Sequence, residues 1–312
     1  MQFIRGLKSY PDAMKGGVLT IGSFDGVHLG HQAVIGQMKQ HAGSLDVPAI
    51  VMSFEPQPKD FFQPDMAQPR ITRLREKIKG LAATGIDAFL LMRFNHELAS
   101  LTAEDFVLKI LVQALAIKHV VVGDDFRFGK GRTGDFELLK KMGETHGFTV
   151  SNTNSHQIEG ERVSSTRIRA ALTAGDLTLA KRLLGRPFTM EGRIAPGHQN
   201  GRTIGFPTAN IHLFRVKSPV HGIFVVDMLG VDGNPLPGVA SIGNRPILKD
   251  DDRWVLEVHL FDFDREIYGE CVTVRFLKKL RDEANFDDFD ALRQQIDLDA
   301  KQAREFFNQG CE

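Results

Sequence analysis

Along the first 184 residues, short runs of Val, Ile, Leu and Phe alternate with stretches whose apolar positions recur every three or four residues. The runs at 18–21, 49–54, 88–92, 119–122 and 148–150 predict strands, and the periodic stretches at 32–41, 73–83 and 103–115 predict helices. Thr102 stands at the head of the last helix as its expected N-cap. Strands that alternate with helices imply a doubly wound parallel sheet, covered on both faces.

The texture changes after Leu183-Leu184-Gly185-Arg186-Pro187, where a glycine and then a proline stop one helix and no long helix follows for many residues. A boundary here divides the chain into domains 1–184 and 185–312. Strand signals then recur at close intervals, at 190–194, 223–228, 239–242, 254–263 and 271–277, with turn residues such as Val231-Asp232-Gly233-Asn234-Pro235 between them. They predict a small antiparallel barrel or sandwich. Phe286, Phe289, Leu292, Ile296, Ala300, Ala303 and Phe307 then form an apolar stripe, which predicts a final helix packed on that domain.

A length of 312 residues suits two domains. The chain carries 39 basic and 39 acidic residues, so nothing in its overall charge points to nucleic acid or to an anionic membrane. The first residues lack the apolar stretch of a signal peptide, and no segment is long and apolar enough to span a bilayer. With only Cys271 and Cys311, neither a disulfide framework nor a cysteine metal site is supported. A cytoplasmic enzyme, monomeric or weakly self-associating, is the expectation.

The segment Gly22-Ser23-Phe24-Asp25-Gly26-Val27-His28-Leu29-Gly30-His31 joins the first predicted strand to the first helix. In an open α/β sheet the carboxyl end of a strand is where ligands bind, and a helix start presents free N–H groups to phosphate. His28 and His31, three apart, can face one phosphate from the first helical turn. Nucleotidyl transfer needs no covalent intermediate, only donors aimed at charge that grows on phosphoryl oxygens. The competing reading, a pair of exposed histidines, is weakened by the flanking glycines and Asp25. A second stretch, Arg162-Val163-Ser164-Ser165-Thr166-Arg167-Ile168-Arg169, places hydroxyls and guanidinium groups at another helix start, as an anion clamp or as a capped, solvated basic face.

Gly129, Gly131 and Gly134 fit a dinucleotide-binding spacing, but Asp124 to Phe128 intervene after the strand that ends near Gly123, so that reading fails. The basic loop from Gly123 to Gly134, with Phe126 and Phe128 in it, instead suggests a lid that stacks on a flat ring and contacts phosphate. The chain also lacks a P-loop.

In the second half, Gly197-His198-Gln199-Asn200-Gly201-Arg202-Thr203-Ile204-Gly205-Phe206-Pro207-Thr208-Ala209-Asn210 runs from an arginine-bearing glycine loop into a fixed turn, with no role assigned to His198. Thr208 and Asn210 offer neutral oxygens for a magnesium ion that keeps waters and nucleotide phosphates, although a purely structural turn reads equally well. Within Trp254-Val255-Leu256-Glu257-Val258-His259-Leu260-Phe261 both faces are largely apolar, so burial of Glu257 is expected to raise its basicity. Such a carboxylate takes a proton from an alcohol; a structural ion pair with Arg245 or Arg275 is the alternative.

In order along essentially the whole chain, these stretches resemble the prokaryotic bifunctional riboflavin kinase and FAD synthetase family. The resemblance implies an amino-terminal Rossmann-like nucleotidylyltransferase domain with a parallel sheet, and a carboxy-terminal six-stranded antiparallel riboflavin kinase-like β-barrel with a C-terminal helix. It implies phosphorylation of riboflavin to FMN by ATP, then adenylyl transfer from ATP to FMN, giving FAD and pyrophosphate, with Mg2+ in both steps. ATP, riboflavin and FMN are the implied partners.

Carried over by residue, Gly22, Phe24, Asp25, His28, Gly30, His31, Arg162, Ser164, Ser165, Thr166 and Arg169 hold the ATP of the adenylyltransferase. Asp125, Phe126, Arg127 and Phe128 lie near its flavin. Gly201, Arg202, Gly205, Pro207, Thr208 and Asn210 hold the kinase nucleotide, Thr208 and Asn210 also hold the metal, and Glu257 is the base. His28 and His31 are the other catalytic residues. Two positions depart from the family: Gln57 stands where many members have histidine, and Asp125 where some have asparagine. The alternatives are a chain with one working domain, or a flavin-sensing binding protein; both sit poorly with the presence of His28, His31, Thr208, Asn210 and Glu257 together.

Overall fold

The computed structural model describes residues 1–153, 156–196, 206–246 and 252–309, with backbone alone for 244–246 and 252–253. Contacts divide the chain into two compact units, Met1–Gln68 with Leu74–Ser165, and Pro69–Arg73 with Thr166–Glu312.

The first unit is built on six parallel strands, β1 (Gln2–Arg5), β2 (Val18–Ile21), β3 (Ala49–Glu55), β4 (Ala88–Arg93), β5 (His119–Gly123) and β6 (Thr149–Thr153), in the order β1-β4-β3-β2-β5-β6. All the predicted strands are present. β1 was not expected, because one buried residue, Ile4, in four gives no readable pattern. The helices are α1 (Leu29–Leu45), α2 (Pro58–Phe62), α3 (Leu74–Ala82), α4 (His96–Ser100), α5 (Ala103–Asp105) and α6 (Phe136–His146). Thr102 caps α5 as expected, accepting from the Asp105 N–H, and the chain then winds on as a π-helix over Phe106–Ala114.

Alternate residues of each strand feed opposite cores. Val18, Val51, Phe89 and Val121 pack with Ile35 and Met38 of α1 and Leu81 of α3. Leu19, Ile50, Leu90 and Val120 pack with Phe106, Val107 and Leu111 of the π-helix and Leu139 of α6. Burial on both faces is why these strands read as continuous apolar runs. From β2 the chain moves to β3 on one side and later returns to β5 on the other, so a crevice opens at the carboxyl ends of β2 and β5.

A small hairpin of β7 (Gln157–Ile158) and β8 (Glu161–Arg162) precedes α7 (Ser165–Ala174) and α8 (Leu177–Leu184), and α8 stops at Gly185 in the left-handed conformation. The barrel follows: β9 (Thr189–Ala195), β10 (Ala209–His212), β11 (Gly222–Leu229), β12 (Leu236–Pro246), β13 (Asp252–Leu260) and β14 (Cys271–Arg281), closed in the order β10-β13-β12-β11-β14-β9. Ile211, Phe224, Ile242, Leu256, Val274 and Phe276 are fully buried or nearly so, whereas Val225 and Val239 pack outward against Ala300 and Ala303 of α9 (Phe289–Asn308).

Three expectations need correction here. The strand predicted over 254–263 ends at Leu260, because Asp262 turns the chain with φ of 54°. Phe286 lies before α9 instead of on its apolar stripe, under the Arg281 guanidinium, and Phe289 is 72% exposed. β10 was read as a turn, although Ala209–His212 pairs on both edges.

Candidate active sites

The turn from β2 to α1 is strained and tightly held. Phe24, Gly26 and Val27 all have positive φ, at 48°, 89° and 42°, and both non-glycine side chains are buried in the core beneath α1. Burial of Phe24 and Val27 over-determines a backbone that would otherwise relax. His28 ends the turn as N-cap of α1, its Nδ1 accepting from the His31 N–H at 3.2 Å. That bond assigns the proton of a neutral His28 ring to Nε2. The two imidazoles stack with centroids 3.6 Å apart. Burial, then the charges of His28, Lys77 and Arg162, hold His31 well below the usual histidine range, so the ring is neutral. Its Nδ1 is buried without a partner among the described residues.

The glycines of the turn leave room for these rings. A Cβ on Gly30 would come within 3.0 Å of the Val163 carbonyl and 3.2 Å of the His28 ring; one on Gly22 would come within 3.1 Å of Phe24. Asp25 is fully buried, and the Ser165 hydroxyl donates to its carbonyl at 3.0 Å, which joins the second predicted stretch to the first. Ser164 is half-buried. Thr166 and Arg169 belong to the second unit, where Arg169 Nε donates to the Pro69 carbonyl at 2.8 Å.

Lys77 escaped sequence reasoning. Only 1% exposed, it reaches from α3 and donates to the Ser23 carbonyl at 2.7 Å. A cation buried beneath this turn adds positive potential at the start of α1.

At the end of β5, Arg162 reaches across from β8 to Asp124 at 3.2 Å and Asp125 at 2.9 Å. Burial alone would push Asp125 up, but the bond and charge of Arg162 hold its carboxyl below the usual range. Phe126 stacks on Phe128 with centroids 5.4 Å apart; Phe128 is buried in the core, which leaves Phe126 the more accessible ring. Arg127 is exposed and donates to the Phe126 carbonyl. The glycines that follow serve packing: a Cβ on Gly129 or Gly134 would run into Ala103. The loop therefore packs against the start of α5 at these two glycines.

An aromatic cluster at the carboxyl ends of β3 and β4 was also missed. Phe61 and Phe62 meet Phe94 edge-on at 5.3 and 5.8 Å, and Phe62 is 65% exposed. The Phe61-Phe62 doublet after Pro58 was the available signal. Gln57 Nε2, beside it in sequence, is buried without a partner among the described residues.

In the barrel, Asn210 of β10 stands directly opposite Glu257 of β13, and Ser241 of β12 stands opposite Glu257 on its other side. Directly paired residues project to one face, here the outer one, because the alternate residues Ile211, Leu256 and Ile242 are buried inside. Glu257 is thus half-buried on the barrel wall, not enclosed as its apolar neighbours suggested. Arg275 forms a bidentate pair with Asp227, its Nε donating to Oδ1 at 2.6 Å and its Nη2 to Oδ2. Pro207 is fixed by His259 Nδ1, 2.9 Å from its carbonyl. Asn210 Nδ2 leans toward the Thr208 carbonyl at 3.5 Å, which turns the amide oxygen away. Thr208 also lines a cavity of about 230 Å³ with Ala209, Leu260, Phe263, Arg265 and Tyr268. Gly201, Arg202 and Gly205 lie outside the described residues, as does His198.

Comparison with known proteins covers both units. Residues 11–167 match the model of the FAD synthetase family, and residues 184–307 that of the riboflavin kinase family. The bifunctional riboflavin kinase/FMN adenylyltransferase of Escherichia coli (strain K12) is 47% identical over 308 residues, 98% of each chain. Its counterpart from Pseudomonas fluorescens is 44% identical over 304 residues, 97% of each chain. A solved structure described as a macrolide-efflux protein from Streptococcus pneumoniae superposes with a TM-score of 0.83 at 32% identity, over 97% of this chain and 99% of that one. Among the described residues no helix is long and apolar enough to cross a membrane. On the full-length likeness and the two matched domain models, the chain belongs to the bifunctional riboflavin kinase/FMN adenylyltransferase family.

Proposed function

We propose that the barrel unit transfers the γ-phosphoryl group of ATP to riboflavin, and that the parallel-sheet unit transfers the adenylyl group of a second ATP to the resulting FMN. The observation that carries this reading is that one chain holds both a stacked histidine pair at a helix start and a carboxylate facing Asn210 on a barrel wall. Neither feature is needed for the chemistry of the other.

In the adenylyl step, an FMN phosphate oxygen attacks the α-phosphorus of ATP and pyrophosphate leaves. The start of α1, His28 Nε2–H and the neutral His31 ring would face the phosphates, with Lys77 behind the turn and Arg162, Ser164 and Ser165 on the other side. Arg162 must then exchange Asp125 for phosphate. The Phe62 and Phe126 rings offer flat apolar surface for the isoalloxazine.

In the kinase step, Glu257 takes the proton of the primary ribityl alcohol as its oxygen bonds to the γ-phosphorus, and ADP leaves. Thr208 and Asn210 supply neutral oxygen donors of the kind Mg2+ accepts, and their proximity through the Asn210–Thr208 contact fits an ion that keeps waters and phosphates. Bound there, Mg2+ would neutralise charge on the β- and γ-phosphates. The cavity beside Thr208 would take the rest of the nucleotide.

The functional boundary is proposed between Leu184 and Gly185, supported by the capped end of α8 and by a riboflavin kinase match that begins at residue 184. A monomer or weak oligomer working in the cytoplasm suits substrates that are all small and diffusible. The test is to incubate purified protein with ATP, magnesium and riboflavin and to separate the flavins. FMN followed by FAD is expected. Arrest at FMN would leave only the kinase, and unchanged riboflavin and FMN in separate incubations would leave only a flavin-binding protein.

A further inference from the structure

The strand that carries Glu257 also reaches the turn of Thr208 and Asn210 through a side chain. The ladder between β10 and β13 ends at Ala209 opposite Val258, where one further step would set Thr208 across from His259. It stops beside Pro207, which has no N–H to give to a ladder. The His259 imidazole takes up the free carbonyl instead. Its Nδ1 stands 2.9 Å from the Pro207 oxygen, and since a carbonyl only accepts, that nitrogen carries the hydrogen.

The ring is itself held. His259 meets Phe206 edge-on at 5.1 Å and Phe261 at 5.9 Å. Phe206 packs against the outer core of Val225, Val239, Phe261, Ala300 and Ala303. Arg304 of α9 lies over Phe261, 4.4 Å from its centroid, and grips Asp262 with Nη1 at 2.8 Å and Nη2 at 3.0 Å. α9 thus braces the strand end on which the imidazole stands.

His259 does not face the cavity beside Thr208. Val258 and Leu260, the residues on either side of it, line that cavity with Pro207 and Thr208. Successive side chains of a strand point to opposite faces, so the imidazole stands behind the turn whose front borders the cavity. A residue so placed orients groups that touch a ligand without touching it.

Resting on the reading of Thr208 and Asn210 as the magnesium seat, we infer that His259 is a positioning residue for that seat. Its Nδ1–H fixes the Pro207 carbonyl, and with it the peptide plane that leads into Thr208, so that the oxygens of Thr208 and Asn210 keep one spacing. Outer partners of this kind change metal affinity by about 10- to 100-fold. His259 takes no proton from the alcohol, and the proton balance of the transfer stays with Glu257.

The experiment sets His259→Asn against His259→Gln and His259→Phe. The first puts an amide N–H near the position of Nδ1, the second puts it near Nε2, and the third keeps a packed ring without a donor. Mn2+ stands in for Mg2+, and electron paramagnetic resonance of the free ion measures its binding to the protein with ADP present. The bound ion that Thr208→Ala releases identifies the barrel's seat. His259→Phe and His259→Gln should weaken that same seat by about 10- to 100-fold, and His259→Asn should restore most of the loss. FMN formation should follow: half-saturating Mg2+ rises in the two weakened variants, kcat at saturating Mg2+ recovers, and FAD formation from supplied FMN holds. Thermal unfolding reports whether the barrel is intact; if His259→Phe fails to fold, His259→Gln against His259→Asn decides. Absence of the difference between His259→Asn and the other two, or a fall in kcat that saturating Mg2+ does not mend, overturns the inference. Failure of the underlying reading shows separately, as Mn2+ binding unaltered in Thr208→Ala, and takes the inference with it.

Discussion

Asn210 and Glu257 are a directly opposed pair in the ladder between β10 and β13. Paired so, their Cβ atoms stand about 4.5–5.5 Å apart on one face, and a slip of one residue would send Asn210 inside the barrel. The register thus sets a neutral oxygen donor beside the proposed base. Asn210→Ala should lower FMN formation from riboflavin by roughly ten- to a hundredfold, as expected for loss of a ligand that positions charge, with FAD formation from supplied FMN unchanged. Chromatography of flavin products measures both.

His28 has two separable duties, capping α1 and stacking on His31. His28→Asn keeps a good cap and removes the imidazole. FAD formation should fall by roughly 10²- to 10³-fold, the usual effect of losing one preorganised donor, at little cost in stability. His28→Ala should add a loss of about 1 kcal/mol in urea unfolding. Equal FAD synthesis in wild type and His28→Asn would remove the ring from the chemistry.

Lys77 lies buried under the turn with its ammonium on the Ser23 carbonyl. Lys77→Met leaves that carbonyl without this donor, so unfolding of the first unit should ease by about 1–3 kcal/mol. The KM for ATP in the adenylyl step should rise, and riboflavin phosphorylation should hold. An unchanged KM would limit Lys77 to structure.

His119 gives the first unit an acid-sensitive element. Its ring meets the Thr149 hydroxyl at 2.6 Å and the Ser151 hydroxyl at 2.9 Å, and it stacks on His41. Burial, then the neighbouring His41, lowers its pKa from 6.5 to about 4. The unfolded chain therefore binds a proton that the folded chain excludes. This contribution to stability is complete above about pH 6.5 and is lost as pH falls toward 4. Urea midpoints between pH 7.5 and 4.5 should fall, and less steeply in His119→Gln. Parallel profiles for the two proteins would contradict the assignment.

Much of this was legible because physics wrote it locally. The parallel strands bury both faces and read as apolar runs, and Thr102 caps a helix within three residues of itself. The histidine turn was legible for the same reason, since its glycines and both rings lie within ten residues. What escaped is non-local or half-exposed. The Arg162–Asp125 pair spans 37 residues. Lys77 sits among Arg75, Glu76 and Lys79, and nothing in this local sequence marks it for burial beneath the turn. β10 carries one fully buried residue, Ile211, among Ala209, Asn210 and His212, so its pairing came from the barrel rather than from its own pattern. Glu257 looked enclosed because apolar and aromatic residues flank it on both sides in sequence, yet Val255, Glu257 and His259, which share one face, are each half-buried.

Two independent centres on one chain is the central claim, and Glu257→Gln tests it most directly. Given riboflavin, ATP and magnesium, that variant should yield no FMN and no FAD; given FMN instead, it should make FAD at the wild-type rate. Loss of both activities together, or FMN accumulating from riboflavin as before, would contradict the account.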